Sequence, residues 1–311
     1  MKFELTADQR DFMASLDRAI TAADPVAANR AWAEGVTAPG LALAEQIAAL
    51  GVSGLMIPEQ SGGVGATAVE MVCAFEVLGR HAVPGPWVES AAFLATALTD
   101  ERLSSVADGS LATVAASSPW AVDADVADAV YVVRGDTLHT ATVGSAVSSV
   151  DSSRRLFTVE PDTTVGSADL NHAHDIAALA AAAELLGAGE RVLADAVEYV
   201  KQRTQFGPPI GSYQAIKHQL ANVRIALDFA RPLVHGAAVD PTPRAISAAK
   251  VQAGDAADLA ARVGLQVHGA IGYTAEYDLS RHILRIRALN HAWGTRSAHR
   301  ARLLDLLTAA S

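Results

Sequence analysis

The 311-residue sequence has a single cysteine, so the chain cannot form an internal disulfide. Cys73 lies in the apolar run Val72-Cys73-Ala74 and reads as a small buried hydrophobe. Aromatic residues are scarce (5%) and charged ones few (19%), while half the chain is apolar and no low-complexity tract interrupts it. Such a chain buries a large aliphatic core, which excludes extended disorder. Long apolar runs are also missing. The strongest, Asp175 to Ala188, is mostly alanine, contains Glu184, and falls short of the ~20 apolar residues of a membrane span. The first ten residues carry alternating charges and no apolar segment, so nothing reads as a signal peptide, and a cytoplasmic location without a membrane partner is expected. Cations are outnumbered, 24 Lys and Arg against 34 Asp and Glu, and the net charge of −10 repels polyanions; a nucleic-acid partner is disfavoured.

The length exceeds the ~250 to 300 residues at which single cores stop growing, so more than one sub-domain is expected. Apolar residues at helical spacing (Phe12, Leu16, Ile20) and segments from Pro39 to Leu50 and Thr67 to Leu78 predict helices over residues 1–110. Between those two segments, Gly62, Gly63 and Gly65 read as a turn, because a phosphate loop would end in Lys-Ser/Thr and follow an apolar strand. Over residues 111–168 the texture changes. Short Val- and Thr-rich runs (Leu111 to Ala115, Ala129 to Val133, Leu138 to Val143, Ala146 to Val150, Leu156 to Val159) predict a small antiparallel sheet. From 169 to 311 the helical period returns, with an alanine seam at Ala249, Ala253, Ala256 and Ala260 that suits close helix packing in a four-helix bundle. The fold class is therefore mainly α with a small β insert.

Three polar clusters stand out. Arg203-Thr204-Gln205-Phe206-Gly207, with Gln214 beyond it, combines an arginine, amides and glycine. That set suits a diphosphate, and equally a helix C-cap and turn. Gln266 to Tyr273 has Gly269 and Gly272 in a helical pattern, which reads either as a bend or as close approach to a ligand. Arg281, His282, Arg285, Arg287, His291, Arg296, His299 and Arg300 form a basic stretch, read as a solvated helix face or as cations near an anionic ligand.

Taken together, the Leu5 to Arg10 start, the Pro58 to Gly65 turn, the Arg203 to Gly207 run with Pro209-Ile210 and Gln214, and Gln266 to Gly272 with Glu276-Tyr277 resemble the acyl-CoA dehydrogenase family over nearly the whole chain. The resemblance implies FAD as cofactor, bound across a subunit interface. It assigns Arg203, Gln205 and Phe206 to the pyrophosphate and Gln214 to the adenosine end. Gln266, Gly269, Ala270 and Gly272 fall along the diphosphate, and Thr295 is counted with the cofactor contacts. Ala270 stands where the family has a glycine.

The departures bear on catalysis. The family's catalytic glutamate precedes a Gly-Thr pair. Here the pair is Gly294-Thr295 and the preceding residue is Trp293, which cannot act as a base. The alternative base position, on the first helix of the bundle, holds Ala177 and Ala178; Glu184 lies roughly 9 to 10 Å further along that helix. The family's Thr-Glu-Pro segment is replaced by Ala112 to Trp120, where Ser117 and Ser118 retain only hydroxyls. The resemblance is thus to the shortened, non-catalytic subunits of actinobacterial α2β2 enzymes acting on steroid-derived CoA thioesters. It implies a catalytic partner subunit that holds the acyl-CoA, and an electron-accepting flavoprotein. Two alternatives stay open: a self-sufficient homomer using Glu184, Glu190 or Asp278 as base, and a flavin-free scaffold.

Overall fold

A computed structural model describes residues 4–205, 207–274 and 277–309. The N-terminal part comprises α1 (Ala7–Ala22), α2 (Pro25–Ala33), α3 (Ala38–Ala49) and α4 (Ala68–His81), then a π-helix (Val88–Leu94) leading into the short α5 (Ala95–Ala97) and α6 (Arg102–Ala107). Thr6 and Thr67 cap α1 and α4 in capping boxes with Gln9 and Glu70, which satisfy orphan N–H groups at both helix starts.

The sheet holds β1 (Ala112–Ala115), β2 (Trp120–Val122), β3 (Ala129–Arg134), β4 (Thr137–Val147) and β5 (Leu156–Val165), in the order β1-β3-β4-β5-β2. It corrects the expected antiparallel sheet in three ways. β1 and β3 run parallel. β2 has only three residues and follows a serine-rich turn, so no alternation announced it. The two strands expected at 138–143 and 146–150 are one strand with a bulge, because Gly144 is not a turn residue. A Cβ there would lie 2.4 Å from Thr158 Oγ1, so glycine permits a close strand approach. Thr113 Oγ1 donates to Val122 O at 2.7 Å and ties β1 to β2.

The C-terminal bundle consists of α7 (Leu170–Gln202), α8 (Gln214–Val239), α9 (Pro243–His268) and α10 (Leu279–Leu289), with α11 (Arg296–Thr308) laid on α9. The alanine seam on α9 is fully buried. α7 also packs on α4, and one aliphatic core runs through both helical regions and the edge of the sheet. The α4–α7 crossing is held close by reciprocal glycines. A Cβ on Gly187 would come 1.9 Å from Glu76 O, and one on Gly79 would come 2.1 Å from Glu184 O. Gly187→Ala is therefore expected to destabilise the chain by about 1–3 kcal/mol through overpacking. Urea denaturation measures this, and an unchanged midpoint would show that the crossing has slack.

Candidate functional site

After Gln202 the chain turns through residues 203–213 before α8 begins. The turn is closed by a Thr204–Pro209 bridge, by Ile210 N donating to Arg203 O (2.8 Å) and by Tyr213 Oη donating to Gln205 O (3.2 Å). Gly207 has φ +108°, a backbone state that side-chain-bearing residues rarely adopt. Arg203, Gln205 and Gln214 are all exposed. Among the described residues the Arg203 guanidinium has no ion pair or hydrogen bond, whereas Gln205 Nε2 folds back on Thr204 O at 2.8 Å. Phe206 lies outside the described residues.

Gln266 is exposed on the last turn of α9. Gly269 follows with φ +64°, and no atom lies within 4 Å of where its Cβ would stand. Ala270 is exposed. Gly272 differs in kind: a Cβ there would press on Leu265 Cδ1 at 3.0 Å, so local packing already accounts for this glycine. A small cluster of Ala196, Val200 and Val267, with Ile210, Ile216 and Leu220 against it, brings both segments to one end of the bundle. Tyr199 stacks on His268 there, ring centroids 4.2 Å apart. Glu276 lies outside the described residues. Thr295 sits elsewhere: it caps α11 by accepting from Ala298 N at 3.1 Å. Its helix meets the N-terminal half of α9 through Arg296–Asp255 and His299–Ser247, so within one chain it does not join the other contacts.

Trp293 is 2% exposed. It packs against Phe93 (centroids 5.2 Å) and edge-on to His174 (5.5 Å). Its φ of +55° is strained for a bulky residue. Ser117 Oγ accepts from Trp293 N at 3.2 Å, and His299 Nε2 meets Trp293 O at 3.0 Å. Gly294 (φ +90°) has no room for a side chain, since a Cβ would lie 2.5 Å from His299 Nε2. Ser118 is occupied as well, donating to Trp120 O at 2.8 Å. Ala177 and Ala178 are sealed in the α7 core.

The basic stretch is a solvated face only in part, at Arg287, His291 and Arg300. His282, Arg285 and His299 are buried, and Arg296 and Arg300 pair with Asp255. Arg285 meets Asp151 at 2.6 Å and donates to Val83 O and Ser153 Oγ. Beside it, Arg154 pairs with Glu89 at 3.2 Å. Glu184 lies in the same buried group, and burial pushes its carboxyl up to about 7 against the pull of Arg285 and Arg154. The other two candidate bases are engaged in ion pairs: Glu190 takes a two-point grip from Arg224 and a third contact from Arg231, and Asp278 pairs with Arg30 and Arg281. Lys250, donating to Leu289 O at 2.7 Å, is pushed by burial down to about 7.

A pocket of about 330 Å³ opens between the sheet and the end of α10, with Trp293 on its wall and Glu89 and Arg154 among its lining. Sequence reasoning passed over both of these residues. Glu89 had a signal, being an isolated glutamate in the apolar run from Pro84 to Ala97, and it stands on a π-helix, a feature frequent at functional sites. Arg154 had none, because it sits in a polar turn whose burial depends on docking against α10 and the π-helix. Among the described residues no group of three or more potential ligands could hold a metal. No helix there is long and apolar enough to cross a membrane.

Residues 6–101 match the family description "Acyl-CoA dehydrogenase, N-terminal domain" and residues 166–307 match "Acyl-CoA dehydrogenase, C-terminal domain". The chain is similar to the acyl-CoA dehydrogenase IpdE2 of Mycobacterium tuberculosis, 36% identical over 251 residues, covering 78% of each chain. Among solved structures it is similar in fold to a chain of the ChsE4–ChsE5 complex of Mycobacterium tuberculosis (TM-score 0.81, 21% identity, 99% of each chain). It is likewise similar to a variant of the Tcur3481–Tcur3483 steroid ACAD (TM-score 0.86, 23% identity, 98% of this chain and 99% of that one).

Proposed function

From the premise that this chain belongs to the acyl-CoA dehydrogenase family, we propose that it is a non-catalytic, FAD-contacting subunit of a heteromeric acyl-CoA dehydrogenase. The enzyme forms α,β-unsaturated acyl-CoA, with steroid-derived CoA thioesters as the substrate class. The substrate class is that of the steroid ACAD to which this chain is similar in fold. Trp293 carries the reading of the chain as non-catalytic. An indole is packed into the core where a base is needed, and neither Ala177 nor Ala178 can replace it.

The residues present suit one end of the cofactor. Arg203 and the exposed Lys217 offer cations without a partner among the described residues, and Gly207 and Gly269 leave open space where a side chain would stand. A diphosphate presented by a neighbouring subunit fits that end of the bundle, held by Arg203, Gln205, Gln266 and the backbone around Gly269 and Ala270, with Phe206 and Gln214 beside it. Gly272 shapes the turn and Thr295 contributes only through its own segment. The flavin-ring end has no such provision, because Ser117 is engaged by Trp293 N and Ser118 by the Trp120 backbone. When bound, FAD accepts the hydride that leaves the acyl chain. This subunit supplies charge and shape to the diphosphate, and the partner supplies the base and the acyl-CoA site.

An exposed apolar stripe suits the docking of a partner. Ile225, Phe229 and Leu233 recur every four residues on α8 and are 52%, 68% and 43% exposed, a stripe that a solitary chain rarely leaves in water. A heterotetramer passing electrons to a second flavoprotein follows from the same reading.

Purification of the chain alone and together with a catalytic family member tests the proposal. Flavin absorbance and acyl-CoA-dependent bleaching are expected only in the complex; a yellow, active protein from the isolated chain overturns it. In the complex, Arg203→Ala is expected to weaken FAD retention about 10- to 100-fold, the value of a charge-assisted hydrogen bond. Unchanged flavin content would remove Arg203 from the site.

A further inference from the structure

The pocket beside Trp293 has features that cofactor contact at the other end of the bundle does not use. Arg154 is 5% exposed and lines this pocket. Its one hydrogen bond runs from Nη2 to Glu89 Oε1 at 3.2 Å. Among the described residues Nε and Nη1 have no partner, and neither is among the sealed polar atoms, so the guanidinium keeps N–H donors where the pocket reaches them. Glu89, also nearly buried, leaves Oε2 without a partner. Val122, Leu156, Trp120 and Trp293 give apolar walls, and four serines and His291 also line the pocket. The volume, about 330 Å³, lies at the lower end of the range for small-molecule sites.

Charge selects among the ligands that such a pocket accepts. Arg154 is surrounded by Glu89, Glu184, Asp151 and Asp123, and the group also holds Arg285 and Arg155. Four carboxylates face three guanidinium groups, and the buried Lys250 lies close enough to feel Arg154 and Glu184, so the two signs come close to balancing. An added anion would meet the carboxylates, and an added cation would meet Arg154. A plain hydrocarbon would strand the guanidinium donors out of water. A neutral acceptor satisfies them without changing the charge. We propose that this pocket is a ligand site of the chain itself, taking a small neutral molecule with an apolar ring and a carbonyl group whose oxygen accepts from Arg154. The proposal does not depend on the heteromeric reading, since every group in it belongs to this chain.

Titration calorimetry on the full chain with three probes of one shape tests it: 2-acetonaphthone, 2-ethylnaphthalene and 2-naphthoate. The ketone is expected to bind at least tenfold more tightly than either the hydrocarbon or the carboxylate. Ala288→Phe fills the pocket from α10 without touching the ion pairs, and is expected to abolish ketone binding while the circular dichroism spectrum stays unchanged. Removing Arg154 alone would leave Glu89 buried and unpaired, so the paired change Arg154→Met with Glu89→Gln is the second variant, expected to equalise ketone and hydrocarbon. Equal binding of ketone and hydrocarbon by the parent chain, tighter binding of the carboxylate, persistence of binding in Ala288→Phe, or displacement of the ketone by micromolar riboflavin would each overturn the assignment.

Discussion

Trp293→Ala is expected to lower the free energy of unfolding by about 3–5 kcal/mol, the range for removing a fully buried tryptophan. The indole fills the space between Phe93 and His174, and its backbone is fastened at both ends by Ser117 and His299, so the neighbours have little freedom to close over the gap. A second variant separates packing from strain. The φ of +55° costs a side-chain-bearing residue about 1–2 kcal/mol, a cost that alanine keeps and glycine removes. Trp293→Gly should therefore be milder than Trp293→Ala by about 1 kcal/mol. Urea unfolding of the three proteins measures both differences. If glycine is worse than alanine, the left-handed backbone is not under strain.

Glu184 gives the second large effect, and its sign is opposite to that of an ordinary paired carboxylate. Burial raises its carboxyl from 4.5 to about 7, so between those values the folded chain holds a proton that the unfolded chain releases. The contribution of Glu184 to stability is then greatest below about pH 4.5, falls as pH rises, and levels off above about 7, a loss of about 3 kcal/mol at ~1.36 kcal/mol per tenfold change in proton concentration. Glu184→Gln keeps the shape and removes the ionisation. Relative to the parent, the variant should gain about 2–3 kcal/mol in unfolding free energy between pH 5 and pH 8.5. A difference independent of pH would mean that Arg285 and Arg154 hold Glu184 ionised throughout. The same variant bears on catalysis: if the isolated chain proves active and Glu184→Gln abolishes turnover, Glu184 is the base and the non-catalytic reading fails.

The fold was readable where one local rule suffices. Helices appeared at the four-residue apolar spacing of Leu16 and Ile20 and along the alanine seam of α9, because burying one face of a helix demands that spacing whatever the helix packs against. The sheet was readable as a region but not strand by strand. Gly144 looks identical in sequence whether it turns the chain or lets Thr158 approach, and only the neighbouring strand distinguishes the two. The same limit applied to the basic stretch, where burial of Arg285 depends on Asp151 and Val83, 134 and 202 residues away along the chain.

The sequence by itself determined the alternation of helix, sheet and helix, the family, and the loss of a glutamate before Gly294-Thr295, since these are properties of residue type and order. Only the tertiary structure decided that Trp293 is a core residue and that Arg203 is left without a partner among the described residues. It alone decided that Glu89, Arg154, Glu184 and Arg285 share one buried cluster beside a pocket. The physical reason is desolvation. A charge acquires an unusual proton affinity or a vacant donor only when distant segments exclude water from it, and nothing local in the chain records which segments will do so.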